Sequence, residues 1–360
     1  MAHEYLVMEI AGKPANDLYS ELLSLEVELD DELAAMLRFK LPLMLQSDGT
    51  WQHLDDSRLV VWSDIKISAG FDQLEELISG YITHVKPHFG PDPAECSLEI
   101  WGMDRSVLMD REEKLQDWPN KKDSDIAMAL FQRYGFTPQV EDTQVIHDET
   151  ISTIIQRETD IRFLRRLALR NGYECYIEGS TGYFRSPQIG APPQPTLAAH
   201  FGGETNLLKF DLEVDALAPA NVAMCAVDRL TKQVLRTQAS SSQQAVLGAT
   251  ASAGLLPGGM SPGLVYVGQS AATGNPEMTF LCQGLYHLGD WFVTAEGEIT
   301  ANEYAHVLRP RATVNIKGIG EAYSGTYYVS HVTHVFTSEG YIQRFRAKRN
   351  ALMPTGTEVF

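Results

Sequence analysis

No stretch of this sequence stays apolar for the ~18 residues that a membrane-crossing helix needs. The N-terminus, MAHEYLVMEIAGK, carries Glu4 and Glu9 and lacks a basic start followed by an apolar block. It does not read as a secretory signal, so assembly in the cytoplasm is expected. Basic residues are scarce, with 29 Lys and Arg against 47 Asp and Glu and a formal net charge of −18. A duplex-binding protein needs a basic footprint, which argues against direct nucleic-acid contact. Strong acidity keeps the chain soluble and open to basic partners. Only four cysteines occur, Cys96, Cys175, Cys225 and Cys282, with no CxxC pair. That excludes a zinc finger and leaves buried, reduced thiols as the expectation.

What is present is ordinary globular material, 360 residues with 44% apolar and 21% charged. Two or three domains are expected. Residues 1–108 read as β-rich. Leu23, Leu25, Val27 and Leu29 alternate, as do Leu37, Phe39, Leu41, Leu43 and Leu45. Period two marks half-buried strands. Pro42 suggests an edge position or a distortion. Leu59 to Ile67, Tyr81 to Val85 and Leu98 to Trp101 read as further strands. Such a set suggests a barrel or sandwich.

Residues 109–205 read as an α+β insert. Ser124 can cap a helix whose apolar face is Ile126, Ala127, Leu130, Phe131 and Tyr134. A second helix starts near Thr159-Asp160 and stops at Asn171-Gly172, with Ile161, Leu164, Leu167 and Ala168 on its stripe. A hairpin through Tyr173–Ile177 and Gly182–Arg185 follows. The Pro-rich run from Pro187 to Pro195 reads as a linker. The β pattern then resumes over residues 206–236 and 291–350. Between them lie an Ala/Ser/Gly/Gln-rich stretch, Thr237 to Asn275, and a helix started by Asn275-Pro276. The stretch is expected to be irregular and mobile, with a short strand at Leu264 to Val267.

The last segment, Gly318 to Asn350, is a hairpin-rich β unit turning at Ser338-Glu339-Gly340. It resembles the C-terminal barrel of the phage late-control protein D family, the tail hubs of contractile injection machines. The family pattern FSGxYYVxxVxH, a GY turn and a strand ending in RN is matched by Tyr323 to Val329, Val332 and His334, Gly340-Tyr341, and Arg349-Asn350. Further matches are Trp101 to Asp104 with Leu108, Asp123 to Ala127, and Thr159 to Tyr173. The resemblance implies a mainly β, α+β fold with two pseudo-equivalent β-barrel domains, an α+β insert domain and a second smaller insert. The expected boundaries are 1–108 for a tube-docking barrel, 109–205 for the α+β insert, 206–236 with 291–350 for the second barrel, and 237–290 for a loop-plus-helix insert. It implies a non-enzymatic homotrimer that adapts a threefold spike to a sixfold tail tube. Its partners would be a separate spike protein, a hexameric tail-tube protein and baseplate wedge or tail-adaptor proteins. No cofactor or metal is implied.

Several motifs resemble catalytic or ligand-binding patterns. Gly259-Met260-Ser261-Pro262-Gly263 fits GxSxG, but Pro262 lacks the N–H that an oxyanion hole requires. Gly318-Ile319-Gly320 has Tyr323 at the third glycine position and precedes a strand, where a phosphate loop needs a helix. His331 and His334 are three apart on a strand and point to opposite faces. His84 and His88 flank Pro87 and do not share a regular helix face. Glu75-Glu76 and Asp55-Asp56 are not placed across a cleft. A tail-tip cell-wall hydrolase or a glycan-binding module remains the alternative. On the last strand Arg344, Arg346 and Lys348 share one face with Ile342, opposite Tyr341, Gln343, Phe345 and Ala347. These three bases are the protein-interface candidates, facing acids of this chain, another subunit or another particle protein.

Overall fold

The alternating runs become strands, and their inward residues meet in two cores. The computed structural model describes residues 5–358 except 152, 219, 229 and 269–273. Parts of the outermost expected segments and of the 237–275 stretch thus lie outside the described residues. The first lobe contains β1 (Tyr5–Ile10), β2 (Ser24–Asp30), β3 (Met36–Pro42), β4 (Asp64–Gly70), β5 (Leu74–His88) and β6 (Ser97–Asp104). Leu25, Val27, Leu29, Leu37, Phe39 and Leu41 are buried and join Ile10, Ile65, Ile67, Ile82, Leu98 and Ile100 in one core. Each such side chain contributes roughly 1.5–3 kcal/mol on burial.

Two local expectations change. The run from Leu59 is a turn until β4 opens at Asp64, with Trp62 at a φ of 70°. A positive φ breaks the extended geometry that its β-branched and apolar composition suggests. Pro42 is not at a sheet edge, because β3 lies between β2 and β6. It is the last residue of its strand, where a missing donor disturbs the ladder least.

The first insert has β7 (Glu113–Trp118), α1 (Asp123–Arg133), β8 (Thr137–Val140), β9 (Ile154–Thr159), α2 (Asp160–Asn171), β10 (Glu174–Glu178) and β11 (Thr181–Arg185). Ile126, Leu130, Phe131, Ile161, Phe163, Leu164, Leu167 and Phe184 form its own core. Gly172 ends α2 in the left-handed region at φ 67°. Ser124 does not cap α1. It lies inside the helix, where its N–H donates to Thr143 Oγ1 at 3.0 Å.

The remaining elements are β12 (Gln194–Ala198), β13 (Leu207–Val214), β14 (Ala220–Val227), β15 (Val234–Ala239), β16 (Gly263–Val267), α3 (Asn275–Gly289), β17 (Val293–Thr300), β18 (Ala312–Lys317), β19 (Gly325–Thr337) and β20 (Gly340–Arg349). Leu197, Val293, Ile299, Val314, Ile316, Tyr327, Val332 and Phe345 form the second lobe's core. β14 and β15, expected within this lobe, leave it. They join β16 in a separate small sheet that packs Val222, Met224 and Ala239 against Met278, Cys282 and Tyr286 of α3. Period two reveals which face of a strand is apolar, not which partner covers it. The expected short strand at Leu264 to Val267 is present as β16.

The lobes share one sheet, thirteen strands among the described residues. Its order is β13-β17-β20-β19-β2-β3-β6-β5-β4-β1, then the two-residue strand Lys13–Pro14 on β1, with β18 also on β19 and β12 on β18. The link is β19. From Gly325 to Val329 its free side pairs with β18, and from His331 to Thr337 it pairs with β2. The register shifts between Val329 and His331, so a bulge at Ser330 marks the change of partner. Beyond it Phe336 and Tyr341 stack at 4.1 Å inside the first lobe's core.

One buried cation fastens the end of the long hairpin. Arg349 is 0% exposed. It donates from Nε to Leu247 O at 2.6 Å, from Nη1 to Tyr323 O at 3.1 Å and from Nη2 to Met353 O at 2.9 Å. Asn350 accepts from Leu247 N at 2.8 Å and donates to Ala245 O at 3.0 Å. Burial pushes the Arg349 pKa down, yet carbonyl dipoles replace its lost water. A Cβ on Gly325 would stand 2.6 Å from its Nη2, and Gly325 sits at φ 142°. The Gly325, Tyr327 and Arg349-Asn350 positions of the sequence motif are therefore one packing unit. They also anchor residues 245–247, inside the stretch expected to be irregular.

Gly325→Ala should cost roughly 2–4 kcal/mol, from backbone strain and the displaced guanidinium. Arg349→Met should cost about 3 kcal/mol or more, because several buried carbonyls lose their donor. Urea unfolding measures both. A change under about 1 kcal/mol in both variants would contradict this account.

A charged ladder on the sheet as candidate interface

Lys348, Arg346 and Arg344 emerge on one face of β20, while Tyr341, Gln343, Phe345 and Ala347 are buried on the other. β17 runs antiparallel beside it and sets Glu298 opposite Arg344 and Glu296 opposite Arg346. Arg344 Nε lies 2.8 Å from Glu298 Oε2, and Arg346 Nε lies 3.7 Å from Glu296 Oε1. Lys348 behaves differently. It turns to the half-buried edge of the face and pairs with buried Asp31 at 2.6 Å. All three candidate bases thus have acidic partners within the chain.

The pattern continues across the link into the first lobe. On β19, His331 Nδ1 lies 3.0 Å from Asp30 Oδ2 of β2. Glu26 of β2 pairs with Arg38 of β3 at 2.5 Å. Lys86 of β5 lies 3.8 Å from Glu99 of β6 and 4.0 Å from the centroid of the Trp101 ring. Rows of opposite sign therefore alternate along one wet face common to both lobes. Cross-strand pairs of this kind favour the register. Exposed, each is worth at most about 1 kcal/mol, so the fold does not depend on them. The acids were legible in principle, since Glu296 and Glu298 alternate in Val293–Thr300. What the sequence does not contain is the strand order that sets them beside Arg344 and Arg346.

The other candidate groups are scattered. His334 is fully buried, with Nδ1 2.7 Å from the Tyr341 hydroxyl, on the opposite face from His331. Among the described residues no group of three or more metal-ligand types is clustered. Glu75 pairs with Arg309 and Glu76 with Lys66, each at 3.2 Å, and Asp56 pairs with Arg58 at 2.7 Å. Ser261 lies on a loop before β16. His84 and His88 are exposed on β5. Cys225 is exposed, unlike the other three cysteines.

Two buried polar clusters, which the sequence did not suggest, tie the inserts down. Asp123 of α1 receives Arg170 Nη2 at 2.5 Å and lies 3.1 Å from His147 Nε2. Burial alone would raise its pKa. The His147 hydrogen bond and the Arg170 charge outweigh that and hold it near 2. Arg170 also reaches Glu277 of α3 at 3.4 Å, so the network joins the two inserts. His147 Nε2 also faces Arg170 Nη2 at 2.6 Å and its Nδ1 lies 3.7 Å from Glu277 Oε1, so both ring nitrogens face charged groups of the network. In the second cluster the Tyr328 hydroxyl of β19 donates to Glu174 Oε1 of β10 at 2.5 Å. Burial pushes Glu174 up to about 7, against the pull of the Tyr328 hydrogen bond.

A family model described as the Alg8 N-terminal domain matches residues 25–338. The chain belongs to the Alg8 N-terminal domain family. The match runs from β2 to the turn after β19, so it takes in both inserts and most of both lobes, leaving out β1 and β20. No curated protein matches the chain. Among solved structures, the 43 kDa tail protein of prophage MuSo2 from Shewanella oneidensis superimposes with a TM-score of 0.71 at 11% identity, covering 97% of this chain and 100% of that one. The tail protein from Neisseria meningitidis MC58 gives 0.66 at 12% identity, covering 96% and 97%. An E. coli protein described as a component of the type VI secretion system gives 0.56 at 12%, covering 93% and 76%. At these identities the shared property is the fold. This Alg8 N-terminal domain family member has a phage-tail, hub-like fold, mainly β with its longer helices in the inserts.

Glu174 makes stability depend on pH with a defined sign. Its folded pKa, about 7, lies above its unfolded value. Its stabilising contribution is complete below roughly pH 4.5 and is lost as pH rises through about 7, in all roughly 3 kcal/mol. Glu174→Gln should flatten the stability profile between about pH 5 and 7. Urea midpoints across that range measure it, and an unchanged slope would contradict the assignment.

Proposed function

We propose that this chain is a structural tail-hub protein of a contractile injection particle. Three copies would join a threefold spike to a sixfold tail tube. The observation that carries this reading is the pair of β lobes, each with its own core, set side by side on one sheet. We read the lobes as barrel-like and pseudo-equivalent, so that three chains offer six docking positions in a ring. Sixfold and threefold symmetry are matched most simply when each subunit carries the docking unit twice. The fold likeness to prophage tail proteins supports the reading.

The role would be architectural, with specificity in surface complementarity. The partners would be a separate spike protein, the hexameric tube protein, and baseplate wedge or tail-adaptor proteins. The subunit would be assembled in the cytoplasm and then become part of the particle. The charged ladder, with Arg344, Arg346 and Lys348, would face a neighbouring subunit or the tube. There, hydrated pairs of both signs favour correct register more than affinity.

Light scattering coupled to size exclusion should give a trimer, alone or with the spike protein. A stable monomer in the presence of the spike would contradict the hub role. Arg344→Glu with Arg346→Glu should leave the subunit folded, because the pairs are exposed, yet reduce particle yield. Normal yield from this double variant would remove the ladder from the interface while leaving the hub role intact.

A further inference from the structure

The small sheet of β14, β15 and β16 is covered on one side only. Its inner face, with Val222 and Met224, packs on α3. The register sets Val227 opposite Val234, Cys225 opposite Arg236, and Ala223 opposite Tyr266. By period two, the outer face therefore carries Cys225, Val227, Val234, Arg236, Leu264 and Tyr266. Val227 is 59% exposed, Val234 62% and Tyr266 66%. Val265 is also 55% exposed.

β16 runs parallel to β14, and its other edge pairs with no strand among the described residues. Parallel pairs are normally buried on both faces. An uncharged apolar edge strand invites pairing with another chain unless something covers it. An exposed apolar concentration of this kind marks an interaction site.

Charge decides the occupant. Thr237 to Asn275 contains no Asp, Glu, Lys, Arg or His, in a chain of net charge −18. A second copy is repelled by most of this acidic surface. Over residues 220–267, which supply the small sheet, the sequence carries one acid, Asp228, against Arg229, Lys232 and Arg236, so an acidic copy meets a net positive segment there, with Arg236 on the outer face. We propose that this face and the free edge of β16 are covered by a neighbouring copy of the same chain. The inference rests on the oligomeric reading above and assigns that oligomer's contact to the second insert.

Cys225 provides the reporter, since it lies on this face and the other three thiols are buried. The full-length protein is labelled with a maleimide while its mass is followed by light scattering. In the wild-type oligomer Cys225 should react slowly. Val234→Glu with Tyr266→Glu places acids against the acidic neighbour. It should lower the mass to that of a monomer and speed labelling by about ten-fold or more. If that pair fails to fold by circular dichroism, Arg236→Glu is tested with the same two readouts. An oligomer that keeps its mass and its labelling rate in the variants would overturn this inference and leave the trimer standing. Protection of Cys225 that appears when another particle protein binds a chain that remains monomeric would also overturn it, in favour of that protein as occupant. A wild type that stays monomeric with a fast-reacting Cys225 even when the spike protein is present would overturn the oligomeric reading itself.

Discussion

β19 cannot satisfy its backbone within one lobe. Its first half hydrogen-bonds to β18 and its second half to β2, with the bulge at Ser330 between them. β20 accompanies it along nearly the whole length. The hairpin therefore belongs to both lobes, and Phe336 and Tyr341 at its far end are core residues of the first. Separating the lobes would leave an edge of unpaired N–H and C=O groups and an open aromatic cavity. Both outcomes are costly. The spacing of the lobes is consequently fixed by covalent strand length and ladder register, which a flexible linker would not provide.

The same hairpin organises the inserts. Tyr328, before the bulge, holds Glu174 of the first insert. Lys348, its cross-strand neighbour, holds Asp31 at the β2–β3 turn. Arg349 and Asn350 clamp residues 245 and 247 of the second insert. Arg170 then joins the inserts to each other through Asp123 and Glu277. Buried charges in these places add little to net stability but are costly to break from one side, which favours a single arrangement. The exposed ladder has the opposite character. Its pairs hold little of the fold and so are available for surface recognition.

Much of this was legible in the sequence. Period-two runs located β2 and β3, turn signals bounded the β19–β20 hairpin, and the helix stop at Gly172 follows from local chemistry. The face of β20 that carries Arg344, Arg346 and Lys348 was also legible, because alternation decides it alone. Partnering was not. Nothing local distinguishes β14 and β15, which leave the long sheet, from β13, which stays in it. Nor does a neutral Ala/Ser/Gly/Gln composition reveal that Ala245 and Leu247 are held by a buried arginine and asparagine some hundred residues on. The residue type of Ser124 favours a cap, but Thr143 and Asp142, remote in sequence, take up its hydrogen bonds.

The most direct test of the account is native-state hydrogen exchange across the junction of the lobes. If the shared hairpin makes them one unit, amides of β2 and of β19 beyond His331 should exchange only by global unfolding. Their opening free energy should then equal that of the second lobe's core strands. Exchange of β1 to β6 together at a lower free energy, with β19 and β20 still protected, would show two independent lobes and contradict it.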